Sequence, residues 1–163
     1  MMRLVAIAAV LGLALTAVGS AARGPLVVRC ESIVHPGGVF TWKPERVVLG
    51  VAAVPPAYLP QTVATASATW PYWSKSGLVI KANSPPVDVS VPSRWRTRVS
   101  ITWGNRGGSE LRIASCPATT ALGNWNPYTG GFYLRSRAAC VPLTFRVGSR
   151  SATVRFGVGK RCG

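Results

Sequence analysis

Along most of the chain the apolar positions recur with a period of two. Between residues 94 and 103 the odd positions carry Trp95, Thr97, Val99, Ile101 and Trp103, and the even positions carry Arg94, Arg96, Arg98, Ser100 and Thr102. That alternation predicts a strand with one face in a core and the other in water. Upstream, Val87, Val89 and Val91 alternate with Asp88 and Ser90, and Pro92-Ser93 breaks the run. Downstream, Leu143, Phe145 and Val147 alternate with Thr144 and Arg146. Gly148-Ser149-Arg150 then supplies a turn, and Ala152, Val154, Phe156 and Val158 alternate again. This is the clearest hairpin in the sequence. Weaker strand candidates are 26–34, 46–51, 77–82 and 111–115.

No helical stripe competes. Pro55-Pro56, Pro60, Pro71 and Pro85-Pro86 puncture the middle of the chain too often, because proline lacks the amide that a helix interior needs. Seven or eight short strands separated by turn signals predict an antiparallel β-sandwich, immunoglobulin-like or jelly-roll in type, with a small closed β-barrel as the alternative. Neither an internal repeat nor a linker divides the chain.

The N-terminus follows a different rule. Met1-Met2-Arg3 is a short basic stretch, residues 4–18 are an uncharged apolar run, and Gly19-Ser20-Ala21-Ala22 are small. This is the pattern of a secretory signal peptide. Ser20 and Ala22 place cleavage after Ala22, so residues 1–22 are read as a leader and 23–163 as one domain. The apolar run is 15 residues long, against the ~20 of a membrane-spanning helix. The alternative is an uncleaved segment that holds the protein at the membrane. The mature chain is expected to be secreted, with no transmembrane segment.

All four cysteines, Cys30, Cys116, Cys140 and Cys162, lie after the leader. An even number in an exported chain implies two disulfides, and four cysteines allow three pairings. The preferred pairing is Cys116–Cys140 across a Gly/Asn/Pro loop, with Cys30–Cys162 tying the ends together. The spacings contain no C-x-x-C pair, so no zinc site or other metal is expected.

Charge narrows the chemistry further. The 163 residues carry 19 Lys and Arg against 4 Asp and Glu, a formal charge of +15. Arg94, Arg96 and Arg98 at alternate strand positions would project about 6.5–7 Å apart. Arg112, Arg146 and Arg155 fall on the polar phase of their own strands. If these strands share a sheet, one face carries a cationic field without acidic partners, suited to a polyanion. The simpler reading is that arginine is the residue that keeps a solvated face soluble.

The aromatic residues suggest a second surface. Trp70, Tyr72, Trp73, Trp125 and Tyr128 lie in proline-containing, loop-like contexts, where rings can stack on sugars or bases. Asn124 and Asn126 would add amide donors and acceptors beside such a platform. The competing reading is that these rings cap the ends of the sandwich and fill its core.

Catalysis finds little to build on. His35 is the only histidine, it precedes a Pro-Gly-Gly turn, and no G-x-S-x-G elbow appears. The acids Glu31, Glu45, Asp88 and Glu110 are scattered, and ion pairing on the surface is their expected state. Residues 103–109 read as a β-turn loop, since a phosphate loop needs a G-K-[ST] and a following helix. No cofactor, no enzyme activity and no specific nucleic-acid binding are expected.

Four short segments, Trp103-Gly104-Asn105, Gly130-Gly131-Phe132-Tyr133, Ala139-Cys140-Val141-Pro142-Leu143 and Val154-Arg155-Phe156-Gly157-Val158-Gly159, resemble uncharacterised small secreted proteins of actinobacteria. The resemblance implies an exported protein of a Gram-positive envelope and brings no catalytic residues with it. Taken together, these features predict a non-catalytic binding or structural module for anionic surface polymer or glycan. A protein–protein interaction domain is the alternative, and a small hydrolase the third possibility.

Overall fold

The computed structural model describes residues 24–35, 45–104, 107–119 and 122–163. The leader read at 1–22 lies outside the described residues, as do Pro36-Gly37-Gly38, Asn105 and Arg106. In chain order the strands are β1 (Leu26–Val28), β2 (Val47–Val48), β3 (Ala52–Ala53), β4 (Tyr58–Leu59), β5 (Val63–Ala64) and β6 (Tyr72–Lys81). They continue as β7 (Val87–Ser90), β8 (Val99–Ile101), β9 (Glu110–Ile113), β10 (Trp125–Leu134), β11 (Ala139–Val147) and β12 (Arg150–Val158). Helical structure among the described residues is confined to short 3-10 turns, among them Cys30–Ser32 and Ser93–Trp95. None of these helices is long and apolar enough to cross a membrane.

The strands form two sheets, as the alternation requires. Sheet A has the order β1-β9-β7-β11-β12-β4, and sheet B the order β2-β3-β6-β10-β8, with β5 also on β6. Pairing is antiparallel except at the edges of sheet A, where β1 runs parallel to β9 and β4 parallel to β12. The two-residue turn Gly148-Ser149 joins β11 and β12, with Val147 opposite Arg150, which already belongs to β12.

The core is the space between the sheets. Val87, Val89, Leu111, Ile113, Val141, Leu143, Phe145 and Phe156 enter it from sheet A, and Leu78, Ile80, Val99, Ile101, Tyr128, Phe132 and Leu134 from sheet B. Phe132 and Phe156 meet across the gap with ring centroids 5.7 Å apart. Burying each such side chain is worth about 1.5–3 kcal/mol, enough in sum to hold a domain of this size together without a helix.

Three local expectations are corrected. The strand read from 94 to 103 begins only at Val99. Before it, Trp95 N donates to Pro92 O (2.8 Å), Arg96 N to Ser93 O (3.2 Å) and Arg98 N to Trp95 O (2.8 Å). The chain is passing there from sheet A to sheet B, and these short-range bonds satisfy a corner where no neighbouring strand is available. Arg94, Arg96 and Arg98 therefore do not line one strand face. The 46–51 candidate is likewise broken after Val48, where Leu49 (φ 54°) and Gly50 (φ 75°) turn the chain into β3.

The cysteines pair as Cys30–Cys116 and Cys140–Cys162, not as Cys116–Cys140 and Cys30–Cys162. Register explains both bridges. Val28 stands opposite Ile113 on parallel strands, so Cys30 is carried alongside Cys116, with Cα atoms 5.6 Å apart. At the other end Cys140 faces Gly157, and the chain folds back over that glycine. A Cβ at residue 157 would stand 2.3 Å from Lys160 O and 3.0 Å from Cys162 N. Only a glycine lets Cys162 return to Cys140. Two disulfides suit an oxidising compartment.

Candidate functional site

The outer face of sheet A gathers three of the six arginines, and gathers acids with them. Cross-strand register places Arg112, Asp88 and Arg146 in one row over β9, β7 and β11. Arg155 stands opposite Pro142 on the same face. Arg112 Nη1 lies 3.6 Å from Asp88 Oδ1. Arg96, at the corner after β7, forms an ion pair with Glu110 at the start of β9 and also donates through Nε to Val91 O (3.3 Å). Asp88 and Glu110 are two of the four acids in the chain. The face read as free of acidic partners therefore carries half of them, and its field is partly cancelled. Arg94 is exposed on the 3-10 turn between β7 and β8.

Arg98 goes elsewhere. Its guanidinium lies 5.6 Å from the Trp95 ring centroid, and its carbonyl accepts from Arg135 N at 3.0 Å. These residues open onto a cleft of about 450 Å³ lined by Trp95, Arg98, Arg135, Ser136, Cys140 and Lys160, among others. A neighbouring cleft of about 350 Å³ is lined by Thr62, Val63, Arg137, Ala138 and Gly159, among others. Ala138 borders both. Arg161 continues the basic end, its guanidinium 4.8 Å from the Tyr58 ring centroid. No acid lines either cleft among the described residues. Several uncompensated cations around one concavity raise the local anion concentration well above that over a balanced face.

Sequence reasoning missed Arg135, Arg137 and Lys160, because they sit in loops that carry no periodic signal. The strand ends that bring them together are those of β8, β10, β11 and β12, which converge only in the folded sandwich.

The aromatic platform is also rearranged. Tyr72 and Trp73 open β6, and Trp125 and Tyr128 belong to β10, so they are not loop residues; Trp70 alone stays in a loop, half-buried. Tyr128 is buried in the core, where its hydroxyl lies 3.7 Å from Cys116 Sγ. Burial pushes its pKa up to about 12. Asn126 is buried too, and its amide is spent internally: Nδ2 donates to Pro117 O (2.9 Å), while Oδ1 accepts from Thr119 N (3.2 Å). It offers nothing to a ligand. Trp73 and Trp125 remain on the outer face of sheet B, where Trp73 packs on Tyr133 with centroids 4.5 Å apart.

His35 is exposed, and no three His, Cys, Asp or Glu side chains converge among the described residues. Compared with known protein families, curated proteins and solved structures, the chain matches none of them.

Proposed function

We propose that this protein is an exported, non-catalytic module of a Gram-positive cell envelope that adheres to anionic surface polymer or glycan through its basic end. The observation that carries this reading is the cleft where Trp95, Arg98, Arg135 and Lys160 meet with no acid among its lining residues. Arginine forks and a lysine ammonium around a half-open cleft suit repeated phosphate or carboxylate groups. Trp95 holds Arg98 by a cation–π contact and so limits the entropy lost on binding. The two disulfides fit a protein working outside the reducing cytosol.

The test is a pull-down of oxidised residues 23–163 on purified envelope and wall-polymer fractions at low and high salt. Binding to one fraction that falls steeply with salt, and that is lost in R98S/R135S/K160S, is the expected result. A triple variant that binds like the wild type overturns the reading. A second reading, a protein-interaction domain, draws on the edge strand β1, where Leu26 and Val27 are 38% and 54% exposed. Capture of a protein partner insensitive to salt favours it instead.

A further inference from the structure

Sheet B turns a face to solvent that combines aromatic rings with lysines. Alternation along β6 and β10 sends Trp73, Lys75, Gly77, Val79 and Lys81 outward from one strand, opposite Tyr133, Gly131, Thr129, Pro127 and Trp125 on the other. One end is apolar and aromatic: Val63 on β5, 56% exposed, pairs with Trp73, which stacks on Tyr133. The far end pairs Trp125 with Lys81. Eight residues of strand separate Tyr133 from Trp125, about 27 Å at ~3.4 Å per residue.

The floor between the two ends has a glycine at its middle. Gly77 faces Thr129 at its centre. Its φ lies outside the left-handed region, and a Cβ there would meet nothing within 4 Å. The fold therefore does not need this glycine, which weakens a strand interior by its entropy. Beside it opens a cleft of about 370 Å³ lined by Pro55, Pro56, Leu59, Lys75, Gly77 and Val79, among others. It opens where β6 has no strand partner on that side, between its pairings with β3 at Val79 and with β5 at Trp73. A strand glycine with free space above it leaves room for another molecule to approach the backbone.

We infer that this face is a track for an acidic polysaccharide, whose sugar rings rest on Trp125 and the Trp73–Tyr133 pair, whose backbone crosses Gly77, and whose carboxylates meet Lys75 and Lys81. The inference rests on the reading above and gives its ligand a chemical class. Charge density separates this ligand from nucleic acid. A nucleic-acid strand brings one phosphate per ~3.4 Å, but Lys75 and Lys81 stand six residues apart, about 20 Å along the strand. Sparse charge with stacking rings at either end suits a glycan. The track runs into the basic end, since Tyr133 is two residues from Arg135 and Val63 lines the cleft that holds Arg137.

The experiment titrates residues 23–163 with two probes at one ionic strength, a defined oligogalacturonate and an inorganic polyphosphate of equal charge. The wild type is expected to bind the oligogalacturonate more tightly. K75S/K81S and, separately, W125A should weaken that binding by about tenfold, equal to ~1.4 kcal/mol, and leave polyphosphate binding unchanged. G77V guards against a trivial loss of structure: it should keep or raise the thermal midpoint and still cut oligogalacturonate binding. If these variants bind as the wild type does, or if the two probes bind equally, the track is overturned while the basic-end reading stands or falls with R98S/R135S/K160S. If the wild type binds neither probe at low salt, both readings fail.

Discussion

The indole N–H of Trp103 donates to the main-chain oxygen of Ser76 at 3.0 Å, spanning from the end of β8 to β6. The intervening strand β10 permits this because the residue opposite Ser76 is Gly130. A Cβ at residue 130 would stand 2.6 Å from the Trp103 backbone. Trp103 is fully buried and packs edge-on against Phe132, centroids 5.3 Å apart. This contact joins three strands of sheet B by one side chain. Trp103→Phe should cost about 2–4 kcal/mol, from a cavity and an oxygen left without its donor. Gly130→Ala should cost at least as much, because the clash is with backbone and cannot be relieved by a rotamer. Urea unfolding of the two variants measures both losses.

The two disulfides should contribute unequally. Cys30–Cys116 closes a separation of 86 residues, and Cys140–Cys162 one of 22. Chain entropy alone assigns about 4–5 kcal/mol to the first and about 3 to the second. C30S/C116S is thus expected to unfold at lower urea than C140S/C162S. The reverse order would mean that the C-terminal bridge holds native structure beyond its loop.

Sheet A should be silent in binding. Arg112 and Arg146 flank Asp88, and Arg96 is engaged by Glu110. R112S/R146S/R155S is expected to keep most of the polymer binding that R98S/R135S/K160S loses. Asp88→Asn should change stability by less than about 1 kcal/mol, since the pair is half-exposed. Parallel pull-downs of these variants separate a face whose charge is offset from one whose charge is not.

Stability should fall at alkaline pH through Tyr128. Its folded pKa is raised to about 12 from the ordinary 10.0 by burial. Below pH 10 the phenol is neutral in both states and costs nothing. Between about 10 and 12 the unfolded chain loses the proton while the folded one keeps it, so the unfolded state is favoured increasingly as pH rises. The loss is on the order of 2–3 kcal/mol when complete, from ~1.36 kcal/mol per unit. Tyr128→Phe should flatten that decline in denaturation curves collected across this range.

Much of the fold was legible because a period of two is a local property. It records which side of a strand each residue faces, and it identified Val87–Ser90 and the β11–β12 hairpin with no knowledge of their partners. It failed where the same alternation occurred at a corner, around Ser93–Trp95. It also failed where proline and glycine disguised strands: Pro127 and Gly130-Gly131 lie inside β10, which reads as a loop until its neighbours are known. Proline is tolerated there because β8 pairs only with Phe132, Tyr133 and Leu134, which leaves position 127 free of that ladder.

The candidate site was less legible, for a related reason. The chain alone determined an all-β architecture, an even set of cysteines and a surplus of positive charge over four acids. Tertiary structure decided which cysteines meet, which arginines lie beside Asp88 and Glu110, and that Arg98, Arg135 and Lys160 share a cleft. Those outcomes depend on the register between strands far apart in sequence and on where loops converge at one end of a sandwich. Local periodicity carries no information about either.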